Sequence, residues 1–281
     1  MRTSSFGNTG REVSQVGLGG EGVLRTYDHE REAKAVIREA ICQGITYFDS
    51  ARVYSDSEIY YGLVWGKEPE LRAKVFQTSK SASRDRVGAR NDLEHSLARL
   101  QTTYLDLWQI HDVRTEDDME AIAGPDGAME AFVAAKEQGL VRHIGVTGHH
   151  DPGILTKAVR DWPVDSVLLP VNPIEEALGG FLTATLPAAR EKGIAVIGMK
   201  VLGGAGANYV LPQLEVTPEI LVRFALAQEI TLAIVGCSSP EEVKALATAA
   251  DRGALPDPER MALVELYRPY ADRMAFYRGV I

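Results

Sequence analysis

Four side chains that can take part in proton transfer stand at the ends of three successive apolar runs. Asp49 ends the second run, Tyr54 follows it by five positions, Lys80 ends the third run and His111 ends the fourth. An isolated tyrosine titrates near ~10, so a nearby ammonium is needed to stabilise its phenolate, and a carboxylate keeps that ammonium charged and fixed. An imidazole can orient or polarise a carbonyl oxygen. This set suits proton exchange with an oxygen on a carbon that gains or loses hydride.

Each of these residues also has a structural interpretation. Asp49 could cap a helix, Tyr54 could be a packed aromatic, Lys80 could be a solvated strand end, and a hydrogen-bonded structural histidine would explain His111. The four residues nevertheless coincide at matching strand ends. Because active sites of parallel barrels lie at the carboxyl ends of the strands, we interpret the four as catalytic.

The elements that must position these residues alternate along the chain. Short apolar runs predict eight strands: Gln15–Leu18, Thr46–Phe48, Val75–Thr78, Leu105–Ile110, His143–Val146, Ser166–Leu169, Ala195–Ile197 and Leu232–Val235. Segments between them have helical spacing: Arg31–Gln43, Val87–Leu100, Met129–Gln138, Gly153–Asp161, Ala184–Lys192, Pro218–Ala227 and Pro240–Ala250. Pro218 and Pro240 each follow a hydroxyl residue, which is typical of a capped helix start. Eight such units predict an α/β fold, a (β/α)8 TIM barrel.

An open, doubly wound sheet is the alternative fold. Such a sheet is expected to carry a glycine-rich turn that opens directly into a helix. The glycine cluster Gly17–Gly22 is separated from the next helix by Tyr27–Glu30. The sequence therefore favours the barrel.

Two further elements lie outside the eightfold repeat. The segment Phe6–Val13 predicts an N-terminal β-hairpin that closes one end of the barrel, and Pro258–Ala275 predicts an extra C-terminal helix. No low-complexity linker interrupts the chain, so residues 1–281 are expected to form a single barrel domain.

Composition excludes several classes of protein. The net charge of −9 over 281 residues argues against nucleic acid as the main partner, and a small-molecule substrate is expected instead. No segment approaches the ~20 apolar residues of a membrane helix, and the N-terminus lacks the apolar region of a secretory signal. We therefore expect a cytoplasmic protein.

Cys42 and Cys237 are too few for a disulfide framework or a four-cysteine metal site, and no metal is expected. Cys42 falls on an apolar helix face, which favours core packing.

The motifs around the four residues resemble those of the aldo-keto reductases. The segment Phe48–Glu58 is similar to the family signature Asp-Thr-Ala-x-x-Tyr-Gly-x-Ser-Glu, with Ser50 in place of threonine and Ser55 in place of glycine. Thr78–Lys80 resembles the family's lysine strand and Asp106–His111 its histidine strand. The resemblance implies a (β/α)8 barrel that binds a nicotinamide dinucleotide. It also implies Tyr54 as general acid/base, with the other three residues tuning it or orienting the carbonyl.

The same resemblance implies a cofactor site on the second half of the barrel. Thr147 stands where a serine hydroxyl holds the nicotinamide carboxamide, and Asn172 lies next to the position of a carboxamide-binding glutamine. Loop Gly198–Gly206 is similar to the pyrophosphate-binding segment, and Gly236–Val243 to the adenosine-phosphate segment. The expected cofactor residues are Gly20, Asp49, Thr147, Asn172, Lys200, Leu202, Gly236, Ser238 and Glu242. His149 is the expected substrate contact.

The resemblance implies NADP(H) as cofactor, with NAD(H) as the alternative because Glu242 would repel a 2′-phosphate. The expected activity interconverts a carbonyl compound and an alcohol. Two alternative functions remain. The first is oxidation of a sugar at its anomeric carbon, which uses the same four residues. The second is a barrel that turns over slowly and senses the cofactor. A glycosidase fits poorly, because Asp49 is the one strong carboxylate among the strand-end residues.

Overall fold

Eight parallel strands form a closed barrel in the computed structural model, which describes residues 1–204 and 206–279. Three residues of the predicted domain, Ala205, Val280 and Ile281, lie outside the described residues. The strands are β1 (Thr3–Ser5), β2 (Glu12–Ser14), β3 (Val16–Gly22), β4 (Tyr47–Phe48), β5 (Phe76–Ser81), β6 (Leu105–Ile110), β7 (Val141–Thr147), β8 (Ser166–Pro170), β9 (Ala195–Met199) and β10 (Leu232–Cys237). The barrel order is β10-β3-β4-β5-β6-β7-β8-β9. The predicted TIM barrel is confirmed, and the doubly wound alternative is excluded.

Helices surround the barrel. They are α1 (Glu30–Cys42), α2 (Ser57–Trp65), α3 (Pro69–Arg72), α4 (Arg86–Arg99), α5 (Glu116–Ala123), α6 (Ala128–Glu137), α7 (Pro152–Asp161), α8 (Pro173–Leu178), α9 (Leu186–Lys192), α10 (Pro218–Leu226), α11 (Pro240–Arg252), α12 (Asp257–Tyr267) and α13 (Ala271–Met274). All seven predicted helices are present, with small shifts at their ends. The predicted caps are confirmed, since Thr217 accepts the Ile220 amide at 3.4 Å and Ser239 accepts the Glu242 amide at 3.3 Å.

The N-terminal hairpin fills the amino-terminal end of the barrel, as predicted. Strands β1 and β2 pair antiparallel, and the turn between them carries Phe6. Phe6 is fully buried, and its ring centroid lies 4.7 Å from that of Phe76. The Asn8 amide donates to the Gly193 carbonyl at 3.0 Å, which ties the hairpin to the barrel wall. The opposite end of the barrel is therefore the one left for a site.

The predicted extra C-terminal helix is present as α12, but two details of local structure were predicted wrongly. The helix does not continue to Ala275, because Pro269 cannot continue the hydrogen-bond pattern of a helix interior. Instead, α12 ends at Tyr267, a 3-10 turn spans Arg268–Tyr270, and α13 follows. Cys42 is exposed, since it is the last residue of α1 and lies beyond the buried face of that helix.

None of the helices within residues 1–204 and 206–279 combines the length and the apolar character needed to cross a bilayer.

Candidate active site

A buried ion pair lies at the carboxyl end of the barrel. Lys80 is in β5, and Asp49 directly follows β4, the neighbouring strand. The Lys80 ammonium donates to Asp49 Oδ2 at 2.6 Å and to the Ser50 carbonyl at 2.8 Å. The hydroxyl of Thr78 donates to Asp49 Oδ1 at 3.1 Å. Both charged side chains are almost completely buried, so the pair is held in one geometry.

Tyr54 lies in the loop between β4 and α2, against this ion pair. Lys80 Nζ is 4.7 Å from the centroid of the Tyr54 ring. The His111 ring meets the same ring edge to face, with centroids 5.6 Å apart. The structure thus brings all four predicted catalytic residues into contact at the end of β4, β5 and β6. Their catalytic roles stay a prediction.

The protonation of Tyr54 and Lys80 follows from burial and from their charges. Burial raises the pKa of Tyr54, and the positive charge of Lys80 only partly opposes this, so the pKa is above its usual value. Burial acts to lower the pKa of Lys80, but the Asp49 carboxylate outweighs it and the pKa is raised. The lysine therefore stays charged and the tyrosine stays protonated near neutral pH. The ammonium attracts the phenolate, as expected from the sequence, without lowering the net pKa of Tyr54.

His111 is neutral in this site. Burial, together with the positive charge of Lys80, lowers the pKa of His111 to about 3. Its backbone amide donates to the Ser81 carbonyl at 2.9 Å, which fixes the residue beside β5. Nδ1 is buried and has no hydrogen-bond partner among the described residues. A neutral ring with a free nitrogen can hydrogen-bond a carbonyl or hydroxyl group.

We expect the His111 ring to show no protonation step between pH 5 and 8. An unfolded histidine titrates near ~6.5, so the unfolded chain takes up this proton first and the folded state loses stability as the pH falls below that value. The test is the Cε1 proton shift of His111 by NMR, assigned by comparison with His111→Gln. A midpoint between pH 6 and 7 would contradict a neutral, desolvated ring.

Gly20 and Glu58 fix the surroundings of Tyr54. A Cβ atom on Gly20 would lie 2.7 Å from Cδ2 of Tyr54, so only a glycine in β3 lets the ring pack against the strand. Glu58, in the first turn of α2, accepts the Ser79 hydroxyl at 2.6 Å and pairs with Arg99. These contacts hold the loop that carries Tyr54 on both sides.

Thr147 and His149 meet at Asp112. Thr147 ends β7 and is buried, and its hydroxyl accepts the Asp112 amide at 2.8 Å. Nε2 of His149 lies 3.2 Å from the Asp112 carboxylate, which also pairs with Arg114. Burial, with the nearby charge of Lys200, lowers the pKa of His149. The two residues therefore line the same edge of the site. Whether they bind cofactor and substrate stays a prediction.

Asn172 is occupied by protein contacts. Its Oδ1 caps α8 by accepting the Glu175 amide at 3.1 Å. Its Nδ2 donates to the Lys200 carbonyl at 3.2 Å and to the Tyr277 hydroxyl at 3.0 Å. Both polar atoms of its side chain thus have partners, and a carboxamide would have to replace one of them. Its place in the cofactor site stays a prediction.

The C-terminal tail covers this part of the barrel, through contacts that the sequence did not indicate. The Tyr277 hydroxyl donates to Glu175 Oε1 at 2.8 Å, and Arg278 pairs with the same buried carboxylate. The Tyr277 carbonyl lies 3.3 Å from Nδ1 of His149. The only sequence signal was the aromatic and basic composition of the tail, which does not indicate where it packs.

Lys200 and Leu202 lie in the loop after β9. Lys200 Nζ is 5.2 Å from the ring centroid of Tyr277, and burial lowers the pKa of the ammonium. The carboxylates of Glu21 and Asp112 partly oppose this effect, and within the described residues neither forms an ion pair with Lys200. The Leu202 carbonyl accepts the Tyr209 amide at 3.1 Å, and its side chain packs against the core. Lys200 is thus a half-buried cation that an anionic ligand would neutralise.

The predicted adenosine-phosphate residues lie where β10 meets α11. Gly236 packs against β3, since a Cβ atom there would lie 2.6 Å from Cβ of Glu21. The exposed Ser238 donates its amide to Glu242 Oε2 at 2.7 Å, and Ser239 caps α11. The Glu242 carboxylate therefore occupies the positive amino-terminal end of the helix. A phosphate bound there would compete with it.

The comparisons with known proteins identify the class. Residues 15–209 match the model of the aldo/keto reductase family, which is more than half of the chain. The chain belongs to the aldo/keto reductase family, a family of oxidoreductases. It is 26% identical over 181 residues to an uncharacterized oxidoreductase, YqkF, of Bacillus subtilis, covering 60% of this chain and 56% of that protein. It is 28% identical to a probable aldo-keto reductase 1 of Glycine max, covering 70% of this chain and 58% of that protein. The chain thus spans little more than half the length of these relatives.

Solved structures share the fold. The aldo-keto reductase AKR11C1 of Bacillus halodurans, in its holo form, superposes with a TM-score of 0.77 at 20% identity over 95% of this chain and 96% of that one. An aldo/keto reductase of Klebsiella pneumoniae, solved with NADP and acetate, has a TM-score of 0.77 at 22% identity, with the same coverage of 95% and 96%.

Proposed function

We propose that the protein interconverts a carbonyl compound and an alcohol with a nicotinamide dinucleotide, and that Tyr54 is the general acid/base. The observation that carries this proposal is the contact of Tyr54 with the buried Lys80–Asp49 pair and with the neutral ring of His111. Membership of the aldo/keto reductase family supports it.

The described residues fit such a cofactor. The site combines a half-buried cation, Lys200, with the amino-terminal end of a helix at Ser238–Glu242. Both are groups that bind phosphate, and at the helix end a phosphate would displace the Glu242 carboxylate. The free Nδ1 of His111 marks a polar position that the protein itself leaves unpaired within its described residues. Thr147, Lys200 and Ser238 would hold the group. When bound, it would supply or accept the hydride.

The proton is transferred by side chains of the protein itself. Tyr54 is protonated near neutral pH, as any tyrosine is, and burial raises its pKa further. It can therefore donate a proton to the carbonyl oxygen during reduction. The adjacent Lys80 ammonium stabilises the phenolate that this transfer leaves. Asp49 keeps Lys80 charged and in place. His111 orients the same oxygen through its neutral ring. In alcohol oxidation the four residues perform the reverse steps.

Sugar oxidation is a second candidate activity, because two of the relatives are named as sugar dehydrogenases. The chain is 29% identical over 156 residues to L-galactose dehydrogenase of Arabidopsis thaliana and 29% identical over 157 residues to D-arabinose 1-dehydrogenase of Saccharomyces cerevisiae. Both alignments span about half of this chain. Oxidation of a sugar at its anomeric carbon would use the same acid/base residues.

The proposed activity is tested by titrating the purified protein with NADPH and NADH, followed by turnover with a simple aldehyde. We expect quenching of protein fluorescence on cofactor binding and aldehyde-dependent oxidation of the cofactor. Binding without turnover of any aldehyde or aldose would favour the cofactor-sensing barrel instead. Absence of binding would contradict both.

We propose NADP(H) as the preferred cofactor, with Glu242 limiting the preference. NADP in the Klebsiella pneumoniae structure supports the first point. The position of the Glu242 carboxylate beside the Ser238 amide supports the second. Because a like charge repels the 2′-phosphate, Glu242→Gln should raise the ratio of kcat/KM for NADPH to that for NADH by about tenfold, equivalent to ~1.4 kcal/mol.

Glu241→Gln provides the matched control for this prediction. It removes the same charge from the next residue of α11, which makes no contact with the Ser238 amide. Its effect on the cofactor ratio should be smaller. An unchanged ratio in Glu242→Gln would show that the carboxylate does not oppose the phosphate.

A further inference from the structure

A second cation, from the first barrel loop, lies over the ring of Tyr54. Strand β3 ends at Gly22, and a 3-10 turn, Val23–Arg25, follows it directly. The guanidinium carbon of Arg25 lies 4.6 Å from the centroid of the Tyr54 ring. The guanidinium therefore lies against the ring whose hydroxyl is the proposed proton donor.

Arg25 is paired with Glu21, and both side chains remain accessible. Arg25 Nη1 lies 2.5 Å from Glu21 Oε1, and the side chains are 45% and 38% exposed, respectively. A guanidinium has five N–H donors, and Glu21 engages one of them. Within residues 1–204 and 206–279, the pair thus offers further donors from Arg25 and a second carboxylate oxygen from Glu21 that accepts no hydrogen bond.

The loop that carries this pair is fixed to the loop of Tyr54. The Ser55 hydroxyl donates to the Arg25 carbonyl at 3.3 Å, and the Asp56 amide donates to the Thr26 carbonyl at 3.2 Å. The Tyr60 hydroxyl also donates to the Thr26 carbonyl, at 3.1 Å. These bonds hold the Glu21–Arg25 pair at a set position relative to Tyr54.

The charges beside Tyr54 favour a neutral, hydroxyl-bearing substrate over an anion. Lys80 is balanced by Asp49, Arg25 by Glu21, and Arg114 by Asp112. The remaining cation of the site, Lys200, is the one proposed to hold the cofactor phosphates. A substrate carboxylate would have to compete with Glu21 for Arg25 and would lie against its negative charge. A hydroxyl group can donate to Glu21 and accept from Arg25 while the ion pair stays intact.

We propose that Glu21 and Arg25 bind hydroxyl groups on the carbons next to the substrate carbonyl, so that the preferred substrates are hydroxyaldehydes and sugars. This inference rests on the proposed function, because it places the carbonyl oxygen at Tyr54. The pair acts in binding and orientation and takes no part in proton or hydride transfer.

The test compares two aldehydes of equal carbon length, D-glyceraldehyde and propanal, which differ in their hydroxyl groups. The readout is the ratio of kcat/KM for D-glyceraldehyde to kcat/KM for propanal, so that any effect on Tyr54 itself cancels. We expect the wild type to favour D-glyceraldehyde. Arg25→Met and Glu21→Gln should each lower the ratio by about tenfold, the loss expected for one hydrogen bond to a charged group.

Arg90→Gln is the matched control, because Arg90 forms a comparable pair with Glu94 on the exposed face of α4, at 3.0 Å. It should leave the ratio unchanged. Turnover of both aldehydes with a ratio that neither site variant alters would overturn the inference and leave the proposed function standing. If Arg25→Met lowered kcat/KM for glyoxylate more than kcat/KM for D-glyceraldehyde, the inference would also be overturned, in favour of a site for a substrate carboxylate. No turnover of either aldehyde by the wild type would overturn the inference and the proposed function together.

Discussion

Replacing Tyr54 with phenylalanine should reduce kcat for aldehyde reduction by a factor of ~10²–10⁴, the usual contribution of a positioned general acid. The substitution keeps the ring, so its contacts with Gly20 and His111 and the cation over its face remain. The transferable proton is lost. Binding of the cofactor, measured by fluorescence titration, should stay close to that of the wild type.

Tyr270→Phe is the control for this substitution. Tyr270 is 49% exposed and lies in the 3-10 turn between α12 and α13, so loss of its hydroxyl should not alter kcat. Wild-type kcat in Tyr54→Phe, with hydride transfer shown to limit the rate, would mean that another group supplies the proton.

Removing either member of the Lys80–Asp49 pair should destabilise the protein by ~3–5 kcal/mol, because each single change leaves a buried charge without its partner. The pair is almost fully buried and its atoms are 2.6 Å apart. The double variant Lys80→Met/Asp49→Asn contains neither charge. It should therefore recover much of the lost free energy of unfolding, measured by urea denaturation, without recovering activity.

The pH dependence of alcohol oxidation tests whether Lys80 acts on the pKa of Tyr54 in addition to stabilising the fold. Lys80 acts to lower the pKa of Tyr54, so Lys80→Met should raise that pKa further. Oxidation needs the phenolate, and its rate should then rise only at a higher pH than in the wild type. Stability losses that simply add in the double variant, or an unshifted pH profile, would argue that the two residues act independently of each other and of Tyr54.

The barrel could be predicted from the sequence because its strands are buried on both faces. Such strands are short, apolar runs, and helices with a single apolar face separate them. All eight runs became barrel strands, although β5 extends to Ser81 and β10 to Cys237. The strands end in polar residues, so a search for apolar runs predicts their ends too early. Polar residues at the strand ends are also what indicated the candidate active site.

The cluster of Tyr54 with Asp49, Lys80 and His111 could be predicted because each residue stands at a fixed distance from the end of a strand. The closure of the barrel then brings neighbouring strand ends together, and pairing of β5 with β6 places Lys80 opposite Gln109, two residues before His111. Their geometry follows from topology, which the sequence pattern determines.

Contacts between distant parts of the chain could not be predicted in this way. The tail reaches Asn172 and His149 through Tyr277, more than a hundred residues along the chain. Arg25 lies in a loop without any pattern, and its place over Tyr54 depends on how two loops pack. The net pKa of Tyr54 likewise depends on burial, which outweighs the charge that the sequence made visible.

The most direct test of the account is the fate of the hydride. The purified protein is incubated with an aldehyde and NADPH that carries deuterium at C4, with each of the two C4 epimers in turn, and the product is analysed by mass spectrometry and NMR. We predict that one epimer yields an alcohol with a single deuterium on the former carbonyl carbon, and that Tyr54→Phe forms this product at least ~10²-fold more slowly. An unlabelled alcohol with both epimers, or no alcohol from a protein that binds the cofactor, would contradict hydride transfer to a carbonyl at this site.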